Sequence, residues 1–325
     1  MFVIIPDVLK TAPDIEQKVF GVDTEILVAD KTHSNQISDE NWKKCDAILA
    51  WDQIEYDATL LEKMRNCKVI VRVGVGYDNI DSLKARELGI KVCNVPDYGT
   101  EEVADHAIGM LLSLARGLPD YINRARNGDW SRTHEMPFRL RGLTMGFIGV
   151  GRIGTAALMR ARAFGMNIVF YDPYVNDGYE KALGVDRVDT LEDLAKIADI
   201  VSINTPLSEE TNKMIGRKFF SVLKPGAIVI NTARGPIIDL EALKEAMLNN
   251  IVRAAGLDVL PVEPSDDSQT LIRAWEKSEP WIKDRLIVTP HVAFYSPESY
   301  EEMRRKAAEE ALRVVLGEQA RNCVN

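Results

Sequence analysis

Short apolar, β-branched runs alternate along the whole chain with stretches of helical spacing. The early runs are 2–5, 25–28, 47–50, 69–73 and 91–95, with helical spacing between them, as in 82–88. A second series begins near Thr144, with runs at 144–148, 167–171, 200–204, 227–231, 254–258 and 286–289. Strands that alternate with helices predict parallel sheets covered on both faces, because parallel neighbours are joined by a crossover. The predicted class is therefore α/β, and the five early strands fit one small open-sheet domain. Helix starts are well marked in the second half. Thr190, with Asp193 three residues on, resembles a capping box. Ser296 and Pro297 place a cap and then a first-turn proline ahead of a long terminal helix over 296–316. The stretch 100–115 puts Val103, Ala107, Met110, Leu111 and Leu114 on one side of a helix that connects the two series. Residues 127–141 are polar, contain Gly128 and Pro137 and show no period. So long an irregular segment is unusual in a compact domain and reads as a disordered arm or a partner contact.

Composition narrows the function classes. The 325 residues suggest two domains at about 150 residues each. Forty Lys and Arg stand against 49 Asp and Glu, a net charge of −9, which argues against a nucleic-acid partner. The apolar start is cut by Pro6 and Asp7 with no basic stretch before it, so neither a signal peptide nor a membrane span is expected. Cys45, Cys67, Cys93 and Cys323 form no C-x-x-C pair, which suggests free thiols in a reducing, cytoplasmic setting. The histidines lack metal-binding spacing, so no metal is expected. His33 and His134 read as structural or surface residues, and His106 on the connector helix takes no role.

The strongest local motif is Gly149-Val150-Gly151-Arg152-Ile153-Gly154. The apolar strand 144–148 runs into it and a helix over 155–164 leaves it. Gly149 permits a tight turn, Gly151 lets a pyrophosphate approach the backbone, and Gly154 lets helix and strand pack closely. The helix N-terminus offers N–H groups to an anion, with Arg152 and Ile153 in the turn ahead of it. Asp172 ends the next strand, where a carboxylate accepts hydrogen bonds from ribose hydroxyls and repels a 2′-phosphate. Pro173, Tyr174 and Val175 follow it, so the cofactor expected is NAD rather than NADP.

Three later strand ends carry Arg234, Glu263 and His291. Ligands of open parallel sheets bind beyond the carboxyl ends of strands. A carbonyl that accepts hydride builds negative charge and needs a proton donor with electrostatic support. His291 would supply the proton, Glu263 would hold the imidazole and favour its charged form, and Arg234 would pair with a substrate carboxylate.

These residues sit in stretches similar to the D-isomer-specific 2-hydroxyacid dehydrogenase family: 229–235, 256–259 with 262–264, and 289–291. The nearest look is to its C-terminal binding protein branch, through 71–81, 93–96, 170–174 and 322–325. The resemblance implies two Rossmann-like domains with open parallel sheets, and NAD and substrate in the cleft. It implies a discontinuous substrate-binding, flavodoxin-like domain over 1–97 and 294–325, and an NAD-binding domain over 98–293. It gives His291 as acid/base, Glu263 as its partner and Arg234 as the group for substrate and cofactor. Arg72, Gly74, Val75 and Gly76 match the loop that holds the substrate carboxylate. Thr205, Pro206 and Thr211 match the adenine side, Asp258 the carboxamide side and Thr100 the pyrophosphate side, with Ala233, Arg234 and His291 also against the cofactor. Where the corepressors carry tryptophan after the histidine, this chain has Phe294, which bears on pocket preference. The expected function is NAD-dependent interconversion of a small 2-oxo acid and a D-2-hydroxy acid, by a homodimer joined through its nucleotide domains. The alternative is an NAD(H)-sensing interaction protein of corepressor type, with residual dehydrogenase activity.

Overall fold

A computed structural model describes residues 1–7, 9, 11–131 and 137–325 of the chain. His134 and the middle of the 127–141 segment lie outside the described residues. The chain divides into two compact units, 1–99 with 295–325, and 100–294.

The first unit carries strands β1 (Phe2–Ile5), β2 (Glu25–Val28), β3 (Ala47–Ala50), β4 (Val69–Arg72) and β5 (Lys91–Cys93). They form one sheet in the order β2-β1-β3-β4-β5, and all the pairings are parallel. This is the flavodoxin-like order. Strands β1, β3 and β4 are buried along their whole length, which is why they read as unbroken apolar runs. Ile4, Ile48, Ile70, Val92, Trp42 and Tyr56 build the core on one side. The terminal helix Pro297–Val315 returns to this unit and packs on β3, β4 and the helix Asp14–Phe20. Ser296 caps it as expected, accepting the Ser299 N–H at 2.9 Å.

The second unit carries β6 (Thr144–Ile148), β7 (Asn167–Tyr171), β8 (Asp186–Arg187), β9 (Ile200–Ile203), β10 (Ala227–Asn231), β11 (Val252–Leu257) and β12 (Leu286–Val288). The sheet order is β12-β11-β10-β9-β6-β7-β8, again parallel throughout. Counted from β6 the order is 3-2-1-4-5-6-7, a Rossmann sheet with one added edge strand, and the order reverses at β6 and β9. The fold is thus α/β with two Rossmann-like parallel sheets.

Three differences from the sequence reading have physical causes. Strand β8 is two polar residues at the sheet edge, with no apolar run to announce it. Strand β11 starts at Val252 and ends at Leu257, which leaves Asp258 just beyond the strand. The helix after the glycine turn starts at Arg152, not at Thr155, because Arg152, Ile153 and Gly154 already form its first turn. Leu118–Arg126 is a further helix, and the described part after 136 is anchored on this unit. There the Phe138 N–H donates to Ala115 O at 3.0 Å, and Arg253 lies over the Phe138 ring at 4.9 Å. Among the described residues no helix is long and apolar enough to cross a membrane.

Candidate active site

The glycine turn sits at the reversal point of the second sheet. Gly149 adopts φ +88°, and a Cβ there would meet the Asn204 carbonyl oxygen at 2.9 Å. A Cβ on Gly154 would overlap the Gly149 carbonyl oxygen, so that helix and turn pack closely only with glycine in place. A Cβ on Gly151 would meet nothing within 4 Å, the open approach a phosphate needs. The helix Arg152–Ala163 has no side-chain cap at Gly151, which leaves its first N–H groups for an anion. Asp172 accepts the Val150 N–H at 3.0 Å and the Tyr174 N–H at 3.0 Å, one on each oxygen. It therefore ties β7 to the glycine turn and keeps a second lone pair on each oxygen for hydroxyl donors. Asn204 Oδ1 and Thr232 Oγ1, beyond the ends of β9 and β10, are buried without a hydrogen-bond partner. Such orphaned polar atoms beside a phosphate cradle fit a bound dinucleotide that would complete them.

Three loops on β10, β11 and β12 hold the expected triad. Asn231, 1% exposed, accepts the Ala233 N–H and donates to Arg234 O, both at 3.0 Å, and so shapes the turn that carries Arg234. A Cβ on Gly235 would overlap the backbone of Leu260, so the Arg234 turn abuts the 260–263 loop. Glu263 accepts the Leu260 N–H at 2.6 Å through Oε1 and faces His291 Nδ1 at 2.7 Å through Oε2. Burial tends to raise the Glu263 carboxyl, but the His291 hydrogen bond and charge, the Leu260 N–H and Arg234 together hold it below the ordinary glutamate range. Arg234, Glu263 and His291 thus come together within one unit.

His291 has φ +53°, a left-handed conformation that costs a non-glycine residue about 1–3 kcal/mol unless its surroundings enforce it. Asp258 enforces it. Its carbonyl oxygen accepts the His291 N–H at 2.8 Å. Its carboxylate, 1% exposed, accepts Thr289 Oγ1 at 2.6 Å and the N–H groups of Val292 and Ala293 at 2.9 Å each. Asp258 was expected at the carboxamide side; in the structure its carboxylate builds the histidine turn. Phe294 sets its ring edge-on to the His291 ring, with centroids 6.4 Å apart.

The remaining predicted residues lie on other loops and element ends of their own units. Thr205 and Pro206 begin the loop after β9, whereas the buried Thr211 hydroxyl donates to Pro206 O at 2.7 Å and accepts the Ser208 N–H at 2.8 Å. Its single hydrogen serves the loop itself. Thr100 opens the helix Thr100–Arg116, and Ala233 lies in the Asn231 turn. In the first unit, Arg72 ends β4, 9% exposed, and its guanidinium contacts Val73 O. A Cβ on Gly74, at φ +149°, would overlap that guanidinium, so glycine is what lets Arg72 lie there. Val75 O accepts Asn94 Nδ2 at 2.7 Å, which fixes the 74–76 loop. Sequence reasoning missed Asp7 in this unit. Its carboxylate accepts the N–H groups of Trp51, Gln53 and Ile54 at 2.9–3.3 Å. Burial pushes its carboxyl up while those backbone donors pull it back. Its place two residues beyond the buried strand β1 is the signal that could have found it. Among the described residues no group of three or more His, Cys, Asp or Glu side chains is placed to hold a metal ion.

Residues 108–293 match the family described as "D-isomer specific 2-hydroxyacid dehydrogenase, NAD binding domain". The chain belongs to the D-isomer specific 2-hydroxyacid dehydrogenase family. Its second unit is the family's NAD-binding domain, and NAD is the cofactor that the Gly149–Gly154 cradle and Asp172 suit. The chain is 38% identical over 286 residues to D-3-phosphoglycerate dehydrogenase of Methanocaldococcus jannaschii, covering 88% of this chain and 53% of that protein. It is 36% identical over 282 residues to the enzyme of that name from Archaeoglobus fulgidus, covering 87% and 52%. The chain thus spans about half the length of these curated relatives. Among solved structures it is similar to D-lactate dehydrogenase of Aquifex aeolicus complexed with NAD and lactic acid, with a TM-score of 0.86, 29% identity and 97% and 96% of the two chains covered. Both sheets are parallel, and the two ends of the chain share one unit.

Proposed function

We propose that this family member interconverts a small 2-oxo acid and the matching D-2-hydroxy acid, with His291 as the acid/base. The observation that carries the reading is His291, held at φ +53° with Nδ1 2.7 Å from the Glu263 carboxylate. A carboxylate only accepts, so the Nδ1 hydrogen points at Glu263 and Nε2 is the nitrogen that exchanges a proton with the substrate oxygen. NAD supplies or takes up the hydride. Arg234 pairs with the substrate carboxylate and supports the negative charge that grows on the carbonyl oxygen. Arg72 and the Gly74, Val75 and Gly76 backbone are the carboxylate-binding loop of the first unit, which we take as the substrate-binding part. The NAD-facing set is Thr100, Gly149, Gly151, Arg152, Ile153, Gly154, Asp172, Thr205, Pro206, Ala233 and Asp258, with Thr211 behind it tying the loop of Thr205 and Pro206, and Phe294 beside the histidine as a pocket wall. A cytoplasmic homodimer joined through the second unit suits the exposed Leu118, Ile122 and Trp130, the last 83% exposed. The likeness to the C-terminal binding protein branch, carried by 71–81 and 322–325, would make an interaction role the alternative.

The deciding experiment follows NADH consumption with pyruvate, glyoxylate, hydroxypyruvate and 3-phosphohydroxypyruvate, repeated with NADPH. We expect turnover with NADH on at least one of them. His291→Ala should lower kcat by about 10²–10⁴-fold, the usual contribution of a positioned acid/base, with NADH affinity within about twofold. Unchanged turnover in that variant removes His291 from its role. No turnover of any 2-oxo acid, with NADH-driven assembly instead, favours the interaction role.

A further inference from the structure

One imidazole of the second unit stands outside every motif used so far. His106 lies on the helix Thr100–Arg116, between apolar positions that are buried. Its Nε2 is 3.0 Å from Thr289 Oγ1 and 3.7 Å from Asp258 Oδ1. Thr289 Oγ1 is in turn 2.6 Å from Asp258 Oδ1. These distances fix the direction of the hydrogen bonds. The Asp258 carboxylate already accepts two backbone N–H groups, from Val292 and Ala293, and faces Thr289 as an acceptor as well. A hydroxyl has one hydrogen, so the hydrogen of Thr289 goes to Asp258. Thr289 Oγ1 then meets His106 as an acceptor, and Nε2 of His106 must carry a hydrogen. The polar chain therefore runs from His106 to Thr289 to Asp258, and from Asp258 into the N–H groups of residues 291–293 that set the left-handed His291 backbone.

We propose that His106 is a positioning residue for the proton transfer: by donating through Thr289 to Asp258 it holds the 289–293 turn, and with it the His291 ring, in the reactive orientation. The inference rests on the reading of His291 as acid/base. An apolar residue at 106 would fill the same helix face but would leave Thr289 without its donor. The turn would then keep its backbone bonds while Asp258 gained freedom to rotate, and small misplacements of a reacting group cost rate far more than they cost binding.

The test compares His106→Leu, which removes the donor, with His106→Gln, which keeps a side-chain N–H of similar reach. We expect His106→Leu to lower kcat about tenfold, with KM for the 2-oxo acid and NADH affinity within about twofold, as for loss of orientation alone. His106→Gln should recover kcat to within about threefold of the native chain. Amide exchange at Val292 and Ala293 should quicken in His106→Leu and not in His106→Gln. Thr289→Val breaks the same path at its middle, so its loss and that of His106→Leu should not add in the double variant. Thr289→Val against Thr289→Ser makes the same comparison if His106→Leu fails to fold. Native kcat and native exchange in His106→Leu overturn the proposal. So do equal losses in Leu and Gln, or additive losses in the double variant. The exchange measurement needs no substrate, so it judges His106 even if the native chain turns over no 2-oxo acid, a result that would count against the reading of His291 alone.

Discussion

At the scale of single residues, the candidate site depends on groups whose ordinary preferences are overridden by neighbours. Glu263 is the clearest case. Burial alone would raise its carboxyl, yet His291, the Leu260 N–H and Arg234 bring it below the usual range. The sign for stability follows. A group depressed in the fold contributes stability that is fully present above its unfolded range and is lost as pH falls through the lowered folded value. The melting temperature of the native chain minus that of Glu263→Gln should therefore stay constant at neutral pH and shrink on acidification, starting as pH enters the ordinary glutamate range and ending below the lowered folded value. A difference that does not vary with pH would show that no such depression exists. The side chains of the pair are 32% and 35% exposed, and solvent screening keeps the effect small. Legibility in the sequence divides at this same scale. Arg234, Glu263 and His291 are marked by their places after apolar strands. Their supports are not: Thr289 lies 31 positions from Asp258 and 183 from His106, and no periodicity links such pairs. The carboxylates of Asp258 and Asp172 also hold backbone N–H groups, a task their residue type does not announce.

At the scale of elements, the strand ends place chemistry and the glycines allow the loops between them to touch. Gly235 is the one that joins two parts of the triad, because its missing Cβ lets the Arg234 turn lie against Leu260. Gly235→Ala should force the two loops apart and cost about 1–3 kcal/mol of stability, the usual penalty of overpacking. Turnover should fall as well, while the NADH affinity set by the Gly149 turn is retained. Calorimetry and NADH titration of the same sample check both parts, and native stability would show that the loops do not meet there. The alternation of strands and helices made the α/β class readable, because strands buried on both faces leave long apolar runs. Short elements escaped it. Strand β8 has two residues, too few for any period, and the apolar side of the helix Leu118–Arg126 is only Leu118, Tyr121, Ile122 and Ala125 in an otherwise polar segment.

At the scale of the whole molecule, the first unit is built from two distant stretches of chain. The buried pair Arg304–Glu16, 5% and 2% exposed and 2.7 Å apart, ties the terminal helix to the helix Asp14–Phe20. Met303, Ala307, Ala308, Ala311 and Val314 are buried on the same terminal helix. A chain ending at residue 294 would lack that cover on β3 and β4 and would lose the Arg304–Glu16 pair, with solvent reaching Glu16 where the helix had lain. Amide exchange in such a chain should show β3 and β4 unprotected, and full protection there would contradict the assigned role of the helix. Synthesis runs from the first residue to the last. The strands made first therefore stay without that cover until residues 297–315 have left the ribosome.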